Sequence, residues 1–149
     1  MRWLFIEDSD SSELEVLLRK RSQDEEVLKL IRILEDFGDL KQDIIAIKSE
    51  DAIELLRLEE LIAVDVEAGS LVLTSSKGRL VTKDRLYQFK ERYLSENFVQ
   101  VSKQTIINIH YLERMEASFS GNRLAYLSNG YKTSVSRRYL KALEKALGL

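Results

Sequence analysis

With 149 residues, 44% hydrophobic and 32% charged, the chain fits one ordinary domain or two small ones and is too apolar to be wholly disordered. It contains no cysteine, which excludes disulfides, thiolate nucleophiles and cysteine-bound zinc. Its apolar runs, such as Ile44–Ile47 and Leu61–Val64, fall far short of the roughly 18–20 residues of a membrane span.

The net charge of -2 is unevenly divided. Residues 1–60 hold 17 Asp and Glu against 9 Lys and Arg, and residues 61–149 hold 8 against 14, so the two parts carry -8 and +6. A basic segment joined to an acidic one suggests a polyanion-binding surface on the basic side. Glu7 and Asp8 follow Met1–Ile6 too early for a signal peptide, so a cytoplasmic protein is expected.

Proline is absent, and boundaries are therefore read from Gly, Ser, Asn and periodicity. Residues 1–7 and 14–20 read as short strands around the polar turn Asp8–Ser12, the second showing a period of two through Leu14, Val16 and Leu18. Ser22-Gln23-Asp24-Glu25 matches a capping box with Ser22 as the cap. The helix behind it places Val27, Leu30, Ile31, Leu34 and Phe37 on one face, and Gly38 is suited to end it. Residues 1–42 thus form an acidic ββα extension, too small for a core of its own and suited to dimerisation or partner docking.

From Asp43 the texture becomes β-rich. Strands are expected at Ile44–Lys48, Ala52–Leu56 and Ile62–Glu67, then Leu71–Thr74 after the turn Ala68-Gly69-Ser70, and Arg79–Val81 after the turn Ser75–Gly78. Thr82 is placed to cap a helix running through Leu94, with Leu86, Phe89 and Tyr93 facing inward. Phe98–Val101 and Ile106–Ile109 flank the polar knuckle Ser102-Lys103-Gln104-Thr105, and Leu112–Ser118 pairs with Arg123–Leu127 across Phe119–Asn122. Asn129-Gly130 is a strong hairpin signal leading into Tyr131–Val135. Ser136 then caps a closing helix, Arg137–Leu147, with Leu140, Leu143 and Leu147 as its apolar stripe. Residues 43–149 are expected to be mainly β with minor α, an α+β chain overall.

Enzymatic chemistry finds no anchor. His110 is the one imidazole, in a stretch reading as strand, and a lone strand histidine more often has a structural role than a catalytic one. No HExxH, P-loop or GxSxG pattern occurs, and no cofactor or metal site is expected. Phe5–Asp10 has the look of the opening strand and acidic pair of a receiver domain. The alternating β and α elements that a receiver requires do not follow.

The basic residues say more. Lys103 sits in a polar loop between apolar strands, so its ammonium faces solvent or a ligand. Arg137 and Arg138 open the last helix just after Ser136. Cations there oppose the helix dipole, and an anionic ligand would explain them; the alternative is a solvated pair, and spacing alone does not separate the two. Arg137 has the two-pronged donor geometry that reads guanine.

Phe98-Val99-Gln100-Val101-Ser102-Lys103-Gln104-Thr105-Ile106-Ile107-Asn108-Ile109 resembles the signature of the LytTR (LytR/AgrA-type) DNA-binding domain. Leu127–Gly130 and Val135–Tyr139 before a terminal helix match its second half, and the resemblance covers about residues 44–149. It implies an elongated fold of antiparallel sheets that reads double-stranded DNA with loops in successive major grooves. By position, the family's base-reading loops fall on Ser102 and Lys103 and on Arg137; Lys103 and Arg137 are expected to carry most base readout, with Ser102, Gln104, Ser136 and Arg138 supporting or contacting phosphate. The family's third contact falls at Ala68-Gly69-Ser70, where Gly69 offers no side chain, and Ser102-Lys103 replaces the commoner His-Arg pair. The chain resembles a subgroup of small stand-alone, response-regulator-like proteins without a receiver, for which promoter sites with repeated elements, a homodimer and an inhibitory membrane-protein partner are implied. The expected function is sequence-specific transcription regulation. The rival is a protein-interaction module that binds an acidic or membrane-protein partner without DNA, favoured by the lack of a dense lysine tract.

Overall fold

A computed structural model describes residues 1–37 and 43–149. The chain divides into two compact units, Met1–Leu40 and Lys41–Leu149.

In the first unit, helix α1 spans Glu25–Phe37. Its cap is Asp24, not the expected Ser22: Asp24 Oδ1 accepts the Val27 N–H at 3.2 Å, the usual bond from an N-cap side chain to the third helical residue. Lys20 binds Asp24 at 2.7 Å and also Glu26, and its ammonium holds the Asp24 carboxyl below the ordinary carboxylate range. Val27, Leu30, Ile31 and Leu34 are half-buried as the periodicity predicts, whereas Phe37 is 56% exposed. The strands expected at 1–7 and 14–20 do not form. An isolated pair of short segments without a third strand lacks the burial that sustains a ladder. Trp3, Leu4, Phe5, Ile6, Leu14 and Leu17 are accordingly exposed. The helix stop foreseen at Gly38 lies outside the described residues.

The second unit runs β1 (Ile44–Lys48), β2 (Ile53–Arg57), β3 (Leu61–Glu67), β4 (Ser70–Ser75), β5 (Gly78–Thr82), α2 (Leu86–Tyr93), β6 (Phe98–Gln100), β7 (Thr105–Asn108), β8 (Leu112–Ala117), β9 (Arg123–Leu127), β10 (Lys132–Val135) and α3 (Arg137–Ala146), with short 3-10 turns between several of them. The described residues are mainly β with three helices, an α+β architecture, and every strand pair is antiparallel.

A five-stranded sheet ordered β5-β4-β3-β7-β6 is accompanied by a β1-β2 hairpin and a three-stranded sheet ordered β10-β9-β8. The five-stranded sheet contributes to two cores. Leu61, Val64, Leu71, Leu73, Phe98 and Ile106 join Ile45, Ile47 and Leu56 of the hairpin and Phe89, Tyr93 and Leu94 of the α2 segment. Ile62, Ala63 and Ile107 join Val101, Ala125, Leu127, Val135 and Leu143 of α3. A strand covered on both faces needs no polar alternation, which accounts for the unbroken run Leu61–Val64. The register shift between Leu61 and Ala63 breaks the alternation, so that Ile62 and Ala63 both enter the second core.

Three local expectations are corrected. Thr82 ends β5 and caps nothing; Arg85 occupies the α2 cap position, in extended conformation and without a side-chain cap bond. Ser136 takes the α3 cap position, but its hydroxyl makes no cap bond. His110 lies exposed in a 3-10 turn, Ile109–Tyr111, not in a strand.

Candidate nucleic-acid interface

The β3–β7 register pairs Asp65 with Thr105, so the β3–β4 turn and the β6–β7 loop emerge at the same end of the five-stranded sheet. The Val66 N–H donates to the Gln104 carbonyl at 2.8 Å and fastens the loop to β3 there. Ala68 and Gly69 both have positive φ, 50° and 80°, which suits a tight two-residue hairpin.

The β6–β7 loop is closed by the Val101 N–H on the Thr105 carbonyl at 2.9 Å. Inside it, Ser102 Oγ accepts the Gln104 N–H at 3.2 Å, which shapes the knuckle and commits that hydroxyl oxygen to the loop. Ser102 is half-buried, and Lys103 and Gln104 are exposed. Below the loop, Thr105 Oγ1 donates to Asp65 Oδ1 at 2.6 Å and the Tyr131 hydroxyl donates to Asp65 Oδ2 at 2.6 Å. Asp65 thus ties the five-stranded sheet to the strand-β10 side. Burial and the neighbouring Asp65 carboxylate push the Tyr131 phenol well above its ordinary pKa.

The start of α3 is joined to this loop directly: the Ser136 N–H donates to the Val101 carbonyl at 2.8 Å. Ser136 is half-buried, while Arg137 and Arg138 are exposed. The side-chain cap comes from the β8–β9 turn, where Asn122 Oδ1 accepts the Arg137 N–H at 3.0 Å. Gly121 of the same turn has φ +78°, and a Cβ there would lie 3.2 Å from Arg137 Cδ. The Arg137 stem therefore lies along a glycine that leaves room for it.

Two segments 34 positions apart in sequence, with Lys103 on one and Arg137 on the other, are thus adjacent through one backbone hydrogen bond. Among the described residues, Lys103, Arg137 and Arg138 have no carboxylate within ion-pair distance, in contrast to Lys77 with Glu60, Arg79 with Glu67 and Arg114 with Glu116. No acidic residue occupies the first turn of α3. Free guanidinium and ammonium groups beside a helix N-terminus form a surface suited to phosphate and base edges.

Gly121 and Asn122 are expected from sequence only as part of the β8–β9 turn, although a Gly-Asn pair in a hairpin turn also signals positive φ and a side chain free to cap. Asn108, which ends the apolar run of the signature, is buried and structural. Its Nδ2 donates to the Leu61 carbonyl at 2.9 Å, and its Oδ1 accepts the His110 N–H at 3.0 Å.

The family described as LytTr DNA-binding domain matches residues 51–148. The chain belongs to this family. It is 28% identical over 105 residues to the sensory transduction protein LytR of Streptococcus agalactiae, covering 70% of this chain and 43% of that protein. An uncharacterized HTH-type transcriptional regulator of Staphylococcus aureus is 29% identical over 97 residues, covering 65% of each. The LytTR unit also superposes on a solved LytTr DNA-binding domain from Bacillus cereus with a TM-score of 0.66 at 16% identity, covering 72% of this chain and 99% of that one, which shows a shared fold. The chain thus spans less than half the length of the LytR relatives and about two-thirds of the staphylococcal one. Among the described residues, no helix is long and apolar enough to cross a membrane.

Proposed function

We propose that this LytTR chain regulates transcription by binding double-stranded DNA sequence-specifically, with the β6–β7 loop and the start of α3 entering the major groove. The observation that carries this reading is the 2.8 Å bond from the Ser136 N–H to the Val101 carbonyl, which keeps Lys103 and Arg137 on adjacent segments with no competing carboxylate. Arg137 presents a planar fork for guanine O6 and N7, and Lys103 a point charge for an acceptor on a neighbouring base. Gln104, Ser136 and Arg138 flank them as phosphate and sugar contacts, and Ser102 holds the knuckle in shape. Gly69 contributes backbone alone.

The decisive experiment is selection of duplexes from a random library by the full chain, followed by titration against the selected site and a scrambled duplex. Preference for the selected site by a factor of about 10³ or more, with affinity falling steeply as salt rises, supports the reading. Equal weak binding to both duplexes favours the rival, an interaction module for an acidic or membrane-protein partner.

The N-terminal unit is assigned to homodimerisation or to docking a protein partner, with an inhibitory membrane protein the partner suggested by family resemblance. Support comes from its unburied apolar side chains, including Trp3, Phe5, Ile33 and Phe37, and from the acidic balance of residues 1–40, 11 Asp and Glu against 6 Lys and Arg, which is the wrong sign for phosphate contact. Sedimentation of the full chain against a Phe5→Asp, Ile33→Glu variant tests the dimer. An unchanged sedimentation coefficient removes it and leaves docking of a protein partner.

A further inference from the structure

The tip of the β8–β9 turn carries an aromatic side chain that the packing of the domain does not use. Phe119 is 90% exposed, although a phenylalanine ordinarily supplies much of a core's buried area. The turn presenting it is specially built: Ser120 and Gly121 both have left-handed backbone, φ 56° and 78°, and the Asn122 N–H closes the turn on the Phe119 carbonyl at 3.0 Å. A non-glycine residue held at positive φ costs free energy, so the turn is shaped at the expense of stability.

The same turn is bound to the proposed base reader at two points. Asn122 Oδ1 holds the Arg137 N–H, and the Arg137 stem lies against Gly121. Phe119 belongs to this turn, whose Asn122 N–H is bonded to the Phe119 carbonyl, so the backbone that presents the ring is fastened to the start of α3. A ring carried into a major groove beside a guanidinium meets one apolar group on the base edges, the C5-methyl of thymine.

We propose that Phe119 is a further specificity-determining residue, whose ring contacts a thymine methyl next to the base read by Arg137. The proposal rests on the DNA-reading function argued above and deepens it by naming a second base preference.

The test uses the full chain and the duplex selected from a random library, with each thymine replaced in turn by deoxyuridine, which removes only the methyl. Replacement at one thymine should weaken wild-type binding about fourfold, the value of one buried methyl. The same replacement should leave Phe119→Ala unaffected, while Phe119→Leu keeps part of the sensitivity. The salt slope should be the same for all three proteins, since no charge changes. If wild type tolerates deoxyuridine at every thymine, or if Phe119→Ala keeps the full sensitivity, the proposal is overturned. Failure of the underlying DNA reading gives a separate result: wild type itself then selects no preferred duplex.

Discussion

Asn122 and Arg137, fifteen positions apart, share a 3.0 Å hydrogen bond in which the side chain of a hairpin turn caps the first amide of the terminal helix. The bond fixes where α3 begins relative to the three-stranded sheet, and so where the Arg137 guanidinium starts. Stability of the helix end and placement of the proposed base reader are therefore coupled in one contact, and substitutions on its two sides should separate them.

Asn122→Ala removes the cap and should cost about 1 kcal/mol. Thermal denaturation should show the melting temperature lowered by roughly 4–8 °C. DNA affinity should fall while the order of preference among base substitutions in the site stays the same, because Arg137 itself remains.

Arg137→Ala should do the reverse. The fold survives, since the guanidinium is exposed, but about 1–3 kcal/mol of discrimination is lost at one base pair. Lys103→Ala should relax preference at a different position. Arg138→Ala should weaken all duplexes alike and reduce the salt slope by about one. Gel shifts over a set of single-base variants and three salt concentrations distinguish these patterns.

Gly121→Ala places a methyl 3.2 Å from Arg137 Cδ at a left-handed φ. The backbone should cost about 1–2 kcal/mol, and the arginine stem must move. The expected result is a variant that melts earlier and also loses base preference, a combination that neither Asn122→Ala nor Arg137→Ala shows.

The Tyr131–Asp65 bond gives a pH signature. Because burial and Asp65 raise the Tyr131 phenol, its contribution is fully present below the ordinary tyrosine range near pH 10 and is lost as pH rises above that, when only the unfolded chain releases the proton. Tyr131→Phe should be less stable at neutral pH, by about 1–3 kcal/mol for the carboxylate oxygen left without its donor. Its stability should fall less steeply above about pH 10. Denaturant titrations at neutral and alkaline pH measure both effects.

At the other end of the chain, the depressed Asp24 carboxyl works in the opposite direction. Its cap on α1 is complete above the ordinary carboxylate range and is lost as pH falls through the lower folded value. The Val27 amide resonance should move with that titration, and Lys20→Ala should shift the midpoint upward.

The sequence by itself determined the strand-rich body and its helices, because periodicity and turn chemistry are local: β1 and β9 form at the expected residues, and Asn129 and Gly130 both adopt positive φ. It also singled out Lys103 and Arg137 as candidates for DNA contact, since cations in a polar loop and at a helix start stand out without knowledge of the fold. The N-terminal strands failed although their alternation is real, because a ladder forms only where a partner strand and a covering layer exist, and those are properties of the whole chain. The helix caps failed for a related reason. Ser136 occupies the position that propensity favours, but the bond to the first amide of α3 is made by Asn122, which only folding brings there. Tertiary structure likewise decided that Val101 and Ser136 meet and that Asp65 collects two hydroxyls, since separation along the chain carries no record of distance in space.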